Sequence, residues 1–347
     1  MQDCLDYLKL LIHTPSVVGS ERPFILTLTR ELEALGIKVF SYYGLLVAEG
    51  ANPKSHIICA HVDRHGLMTT GPNEFQYAAF ITRYQSSDHD GKSVSEQTYR
   101  NVSNRFVGNE VIAYDPWGGA YLGRGTITDS FYCELRDNLI FSIPDLSNLP
   151  TGCPIAYSPK LKIENNLISA QLDNIISVAL IVALYKNGYQ GTAFFTSREE
   201  TGSSWRFIQN YLRYTKQEDR LLIDLDTSPF PTLEAASNQD IVLRKKDNNA
   251  EFNHNLTEEI VEICKSHNIS YCFKDEYIDF QNKIRQEENL NPLSYGSTQL
   301  GRLIKGGNGK MTGSTIQIPT FDYHTNNETT LITSLQATYR LLKTFLK

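Results

Sequence analysis

The stretch QLDNIISVALIVALYKNGYQGTAFFTSREETG, Gln171–Gly202, decides how this chain is read. Its centre, Ile175 to Tyr185, is the most apolar run in the sequence. That run falls well short of the ~20 residues needed to span a bilayer, so it reads as a helix buried inside a domain. GTAFFTS then reads as a strand, and it ends on the adjacent carboxylates Glu199 and Glu200. Asp173 opens the helix, 26 residues ahead of Glu199. A buried helix leading into a strand with acids at its end is an α/β unit, and α/β proteins place their sites where strands end.

Downstream the same rhythm continues, with strands in RLLIDLD, ISYCFKD and STIQIPT. Helices are expected in NLTEEIVEICKSHN, near GSTQLGRLI and over ETTLITSLQATYRLLKTFLK. Upstream, helix, loop and helix lead into a strand, IKVFSYYGLLVAEG, and then SHIICAHVD, a strand of the kind buried on both faces that ends in His61-Val-Asp63. Between them the texture changes to short aromatic and β-branched runs such as FQYAAFITRY, NEVIAYD and NLIFSIPD, punctuated by Gly and Pro, without helical periodicity. The expected organisation is therefore an α/β domain from 1–70 plus 164–347, with a small all-β, barrel-like domain inserted at 71–163.

The 347 residues are more than one hydrophobic core usually supports, in keeping with that division. A net charge of -6 and scattered Lys and Arg argue against a nucleic-acid partner. The start, MQDCLDYLKLLIH, lacks the basic region of a signal peptide, and no run is long enough to cross a membrane. A cytoplasmic location with free thiols is the resulting expectation, since the six cysteines never form a Cys-x-x-Cys pair.

Five motifs place His or carboxylates at strand ends or helix starts: AHVD (His61, Asp63), QLDN (Asp173), SREETG (Glu199, Glu200), LIDLDTSP (Asp224, Asp226) and FDYHT (His324). Each alone has an ordinary explanation: a solvated Glu pair, an N-cap aspartate, a surface histidine. Together they would converge on one sheet edge, and such a donor set without thiolates suits zinc, cobalt or manganese. His56, His65 and His89 read as structural or solvated. Arg64 and Arg198 are candidates for binding a substrate carboxylate.

In order and spacing these motifs, with Glu-Glu-x-Gly, Asp-Thr-x-Pro and a late Ile-Pro-Thr before His, resemble the cocatalytic aminopeptidases of the tetrahedral (TET), deblocking and glutamyl aminopeptidase type. The resemblance covers nearly the whole chain. It implies a mixed-sheet α/β/α zinc-peptidase domain with two divalent ions per subunit, zinc first. His61 and Asp226 would bind one ion, Glu200 and His324 the other, with Asp173 between them. Asp63 would accept the His61 ring N–H, and Glu199 would act as general base, taking a proton from water and passing it to the leaving amine. It further implies removal of N-terminal residues from peptides, by homo-oligomers built from dimers up to a dodecamer, with the β insertion making the contacts and controlling access.

Two rivals need comparison with these assignments. GRGTITDS carries Asp129 after Gly-Arg-Gly as the bridging Asp of carboxypeptidase-type relatives does, but Asp129 lies inside the β insertion, 70 residues before Glu199. Asp224 shares a strand face with Asp226. Three positions depart from the family: Gly296-Ser297-Thr298-Gln299 where Gly-Thr-Asp-Ala is common, Phe321 where an Arg is common, and Arg64-His65 where an acidic-apolar pair is common. They leave the expected ligands intact and bear on substrate choice, so a deacylase or other amidohydrolase, or an inactive peptide-binding relative, are the alternatives.

Overall fold

A computed structural model of the chain describes residues 1–53, 56–79, 85–86, 89–90 and 95–346. The end of FQYAAFITRY, much of SSDHDGK and the His89 side chain lie outside the described residues.

The large sheet has eight strands: β1 (Lys38–Tyr42), β2 (Leu45–Glu49), β3 (Ile57–His61), β4 (Thr192–Thr196), β5 (Leu221–Pro229), β6 (Ile241–Leu243), β7 (Tyr271–Phe273) and β8 (Thr312–Thr320). Their order is β1-β2-β4-β3-β5-β8-β6-β7. The central four, β4, β3, β5 and β8, run parallel, while β2 and β6 flank them antiparallel. The segment IKVFSYYGLLVAEG is a hairpin rather than one strand. Gly44 takes the turn at φ +72, where a Cβ would also strike the Phe207 ring at 2.4 Å.

Alternation along the strands shows that both faces are covered. Leu46, Ala48, Ile58, Ala60, Phe195 and Ile223 join one core, and Leu45, Val47, Ile57, Cys59, Phe194 and Leu222 join another. The helix Ile175–Lys186 fills the first, buried on every side from Ile175 to Tyr185 and packed against the helix Gln2–Ile12. The helices Trp205–Thr215 and Gln299–Gly306 cover the second. The result is a mixed α/β/α layer structure, as the fold class expected.

A second sheet draws seven antiparallel strands from between Leu67 and Tyr157, with its own core of Phe75, Phe106, Phe141 and Tyr157. The segment expected to lack helix contains one, Glu96–Phe106, capped by Ser95 accepting from the Thr98 amide. It buries Thr98, Val102 and Phe106, a four-residue spacing so diluted by polar neighbours that the aromatic strands around it dominate the reading. A polar helix, Lys274–Glu287, also goes beyond the sequence reading. Glu328–Leu331, expected to begin the last helix, is instead a strand paired with Leu167–Ala170, and the helix starts at Ile332. That pairing sets Ala170 opposite Glu328 and brings the start of the buried helix to the sheet edge.

Candidate active site and metal centre

The four parallel strands end at the same edge. His61 is the last residue of β3, and Asp226 lies near the end of β5. Glu199 and Glu200 follow β4, and His324 follows β8, its φ of 62° an uncommon left-handed conformation for a side-chain-bearing residue. Asp173 arrives from the buried helix. Its amide donates to Glu328 Oε2 (2.9 Å), while the Asn174 side chain donates to the Leu225 carbonyl (2.7 Å) instead of capping the helix.

These anchors bring the expected ligands together. His61 Nε2 lies 3.2 Å from Asp173 Oδ1 and 3.5 Å from Asp226 Oδ1. His324 Nε2 lies 3.2 Å from Asp173 Oδ2 and 3.6 Å from Glu200 Oε1. Among the described residues the donor atoms form two groups, His61/Asp173/Asp226 and His65/Glu200/His324, each with atoms within 4.8 Å of one another.

The donors fit divalent metal ions. Both Asp173 oxygens, Glu200 Oε1 and the Nε2 atoms of His65 and His324 are buried without a hydrogen-bond partner. Each such orphan costs ~1–3 kcal/mol, more for a charged group, unless a cation meets it. Imidazole nitrogens with carboxylate oxygens are the donor set of zinc and its neighbours.

The two aspartates of β5 separate by depth. Asp224 faces the same side two residues earlier, where its carboxylate accepts from Gln299 Nε2 (3.0 Å) and the Leu300 amide (3.3 Å), whereas Asp226 sits at the strand mouth beside His61. Asp129 lies on an edge strand of the second sheet and accepts from the Ser130 amide.

The hydrogen bond expected between Asp63 and the His61 ring takes a different form. His61 Nδ1 meets the main-chain carbonyl of Asp63 at 3.1 Å, and the carboxylate stands at 3.6 Å. That carboxylate is engaged instead by the amides of Glu199 and Glu200, 2.9 Å each. Donation from Nδ1 still leaves Nε2 free to act as a ligand.

Electrostatics at the site are dominated by burial and crowded acids. Burial pushes Glu199 up to about 7, against the pull of His61 and Arg302. Burial and then the Asp173 charge hold Glu200 well above the usual carboxylate range. His61 keeps its proton well above the usual imidazole range, because Asp173, Asp226 and Asp63 outweigh its burial. His324 is pushed down to about 4 by burial in spite of Asp173. Asp173 is held below the usual range because its contacts with His324 and His61 outweigh burial.

A cavity of about 470 Å³ opens beside Glu199, Glu200 and His324. Its wall includes residues the sequence reading did not single out for the site. Arg302 donates to Glu199 Oε1 (3.1 Å), Arg105 from the second sheet's helix lies 3.4 Å from His324 Nδ1, and Tyr77 backs His65. His65, expected to be structural or solvated, is 4% exposed and lies at the centre. A second histidine two residues beyond the His-x-Asp motif was the signal for it. Gln299 does not line this cavity. It is buried between Thr196 and Asp224, so its departure from the family pattern is an internal one. Arg64 is spent on the Ser16 hydroxyl and the carbonyls of Ile12 and Thr14, and Arg198 lies over the Tyr43 ring at 5.3 Å. Neither arginine lines the cavity.

Solved structures share this architecture. A TET aminopeptidase from Thaumarchaeota archaeon SCGC AB-539-E09 superposes with a TM-score of 0.72 at 16% identity, covering 100% of this chain and 96% of that one. The aminopeptidase APDkam598 from Desulfurococcus kamchatkensis gives 0.71 at 15% identity, with coverage of 99% and 95%. The Pyrococcus horikoshii TET1 peptidase, described as assembling into a tetrahedron or a large octahedral shell, gives 0.69 at 16% identity, with coverage of 99% and 98%. Among curated proteins none matches the sequence. The sequence itself is decisive: residues 150–341 match the M42 glutamyl aminopeptidase family, and the chain belongs to it. It is a metallo-aminopeptidase of that family.

Proposed function

We propose that this aminopeptidase works with two divalent ions, zinc first among them, and with Glu199 as general base. His61 and Asp226 hold one ion, Glu200 and His324 the other, and Asp173 spans the two. The observation that carries the reading is Asp173 itself, whose two oxygens lie 3.2 Å from the Nε2 atoms of two histidines, one ending β3 and one following β8. Neither oxygen has a hydrogen-bond partner. Two ions so placed would supply Lewis acidity and a nucleophilic water at neutral pH.

The chain's own groups do the rest. Burial leaves Glu199 near neutrality, where a carboxylate can both accept a proton and return it, and such a group contributes ~10²–10⁴-fold. Arg302 holds one oxygen of that carboxylate, fixing its direction. Substrates are peptides with a free N-terminus entering the cavity beside Glu199. The Glu199→Gln variant keeps the ligands and loses the base. Turnover of unblocked peptides by metal-loaded protein should fall at least ~10²-fold while both metals stay bound. Unchanged turnover would remove Glu199 from the role, and release from blocked peptides only would replace aminopeptidase by deacylase.

The second sheet offers an assembly surface. Its two edge strands, Tyr121–Thr126 and Asp129–Cys133, expose Tyr121, Leu122 and Phe131, and exposed apolar edges invite pairing. Homo-oligomers joined through this sheet follow, and light scattering that returned only a monomer mass would refute them.

A further inference from the structure

The proposed second ion draws on His65 as well as on the residues already named. His65 sits four residues beyond His61, and both its ring nitrogens are committed to specific places. Nδ1 meets the Tyr77 hydroxyl, and Nε2 lies 2.6 Å from Glu200 Oε2. Despite that separation, Nε2 has no hydrogen-bond partner. Donor atoms of His65, Glu200 and His324 lie within 4.8 Å of one another, close enough to be drawn onto one cation. The His324 ring centroid lies 3.7 Å from that of His65. The Tyr77 oxygen accepting from Nδ1–H would fix the tautomer that frees Nε2, the outer partner a ligating histidine usually has.

We propose that His65 is an additional protein ligand of the second metal ion, which is then held by His65, Glu200 and His324 together with Asp173. The inference rests on the two-ion reading above. Through the Arg64-His65 departure it adds a nitrogen donor to the second site, and it narrows the coordination positions left for substrate.

The test uses Co²⁺ alone as probe on chelator-stripped protein, with equilibrium dialysis for affinity and ligand-field absorption for donor set. Neither readout depends on turnover. Wild type should bind two ions. His65→Ala should bind the first unchanged and the second more than ~100-fold more weakly, beyond the ~10–100-fold that loss of an outer partner costs, with an altered absorption band. Weakening of ~100-fold or less, or an unaltered band, would overturn the proposal. Should His65→Ala fail to fold by circular dichroism, Tyr77→Phe decides. It should weaken the second ion alone by ~10–100-fold, and an unaffected second ion counts against His65. Wild type that takes up no second ion refutes the two-ion reading. Two tight ions in both wild type and His65→Ala refute only the role of His65.

Discussion

Asp63 holds the loop that carries both glutamates, and replacing it should show how much of the site rests on that anchor. Its carboxylate is fully buried, and Oδ1 and Oδ2 accept the Glu199 and Glu200 amides at 2.9 Å each. Hydrogen bonds to a charged group contribute roughly 1.5–3 kcal/mol each, so the pair anchors the loop by about 3–6 kcal/mol. Asp63→Ala should lose that amount less whatever the loop recovers by relaxing. Asp63→Asn keeps one acceptor and turns its NH₂ toward the other amide, leaving a buried donor unmet at a cost of ~1–3 kcal/mol. Both variants retain the main-chain carbonyl that meets His61 Nδ1, so that ring nitrogen keeps its nearest partner. Urea unfolding in excess chelator, with an unchanged m-value, measures the stability term without metal linkage. Displacing catalytic groups by ~1 Å costs on the order of 10²-fold, so kcat/KM of the metal-loaded Asp63→Asn protein should fall by about that factor. An Asp63→Asn protein within ~0.5 kcal/mol of wild type and fully active would refute the anchoring role.

Asp173→Ala should cost both ions together, because its two oxygens face the two histidine nitrogens. Metal analysis that still finds two ions per chain would move the bridge elsewhere. Lys274 gives a pH signature away from the site. Its ammonium donates to the Pro229 carbonyl and lies 3.7 Å from the Phe230 ring centroid, and burial pushes it down to about 7. The unfolded chain, titrating near ~10.4, therefore binds more protons between these values, and stability rises with pH across that window by up to ~5 kcal/mol. Below about pH 7 both states are protonated and this contribution is flat. Lys274→Met should remove the rise, and parallel stability-versus-pH curves for wild type and variant would contradict it.

Local chemistry made some elements readable without a fold. Ile175 to Tyr185 is apolar at every position, which leaves a helix nowhere to lie except inside, and that is where it lies. His61, Asp226 and Glu199-Glu200 stand at the ends of buried strands, so their place at a sheet edge follows from the pattern. Polar elements were less legible. Glu96–Phe106 buries only three residues, and Lys274–Glu287 is largely polar, so neither announces its period against its surroundings.

What the chain determined alone was the order of its α/β units and the residue types at their ends, because burial period and strand-end polarity are properties of neighbours in sequence. Tertiary structure decided which of those residues meet. Asp224 and Asp226 share a face, and only the closing of the helix Gln299–Gly306 over the deeper one separates them. Arg302 comes to Glu199 across 103 residues, Arg105 to His324 across 219, and His65 to Glu200 through the packing of one sheet's loop on the other. Contacts of such range depend on the register of strand pairing and on how layers stack, neither of which leaves a local mark in the sequence.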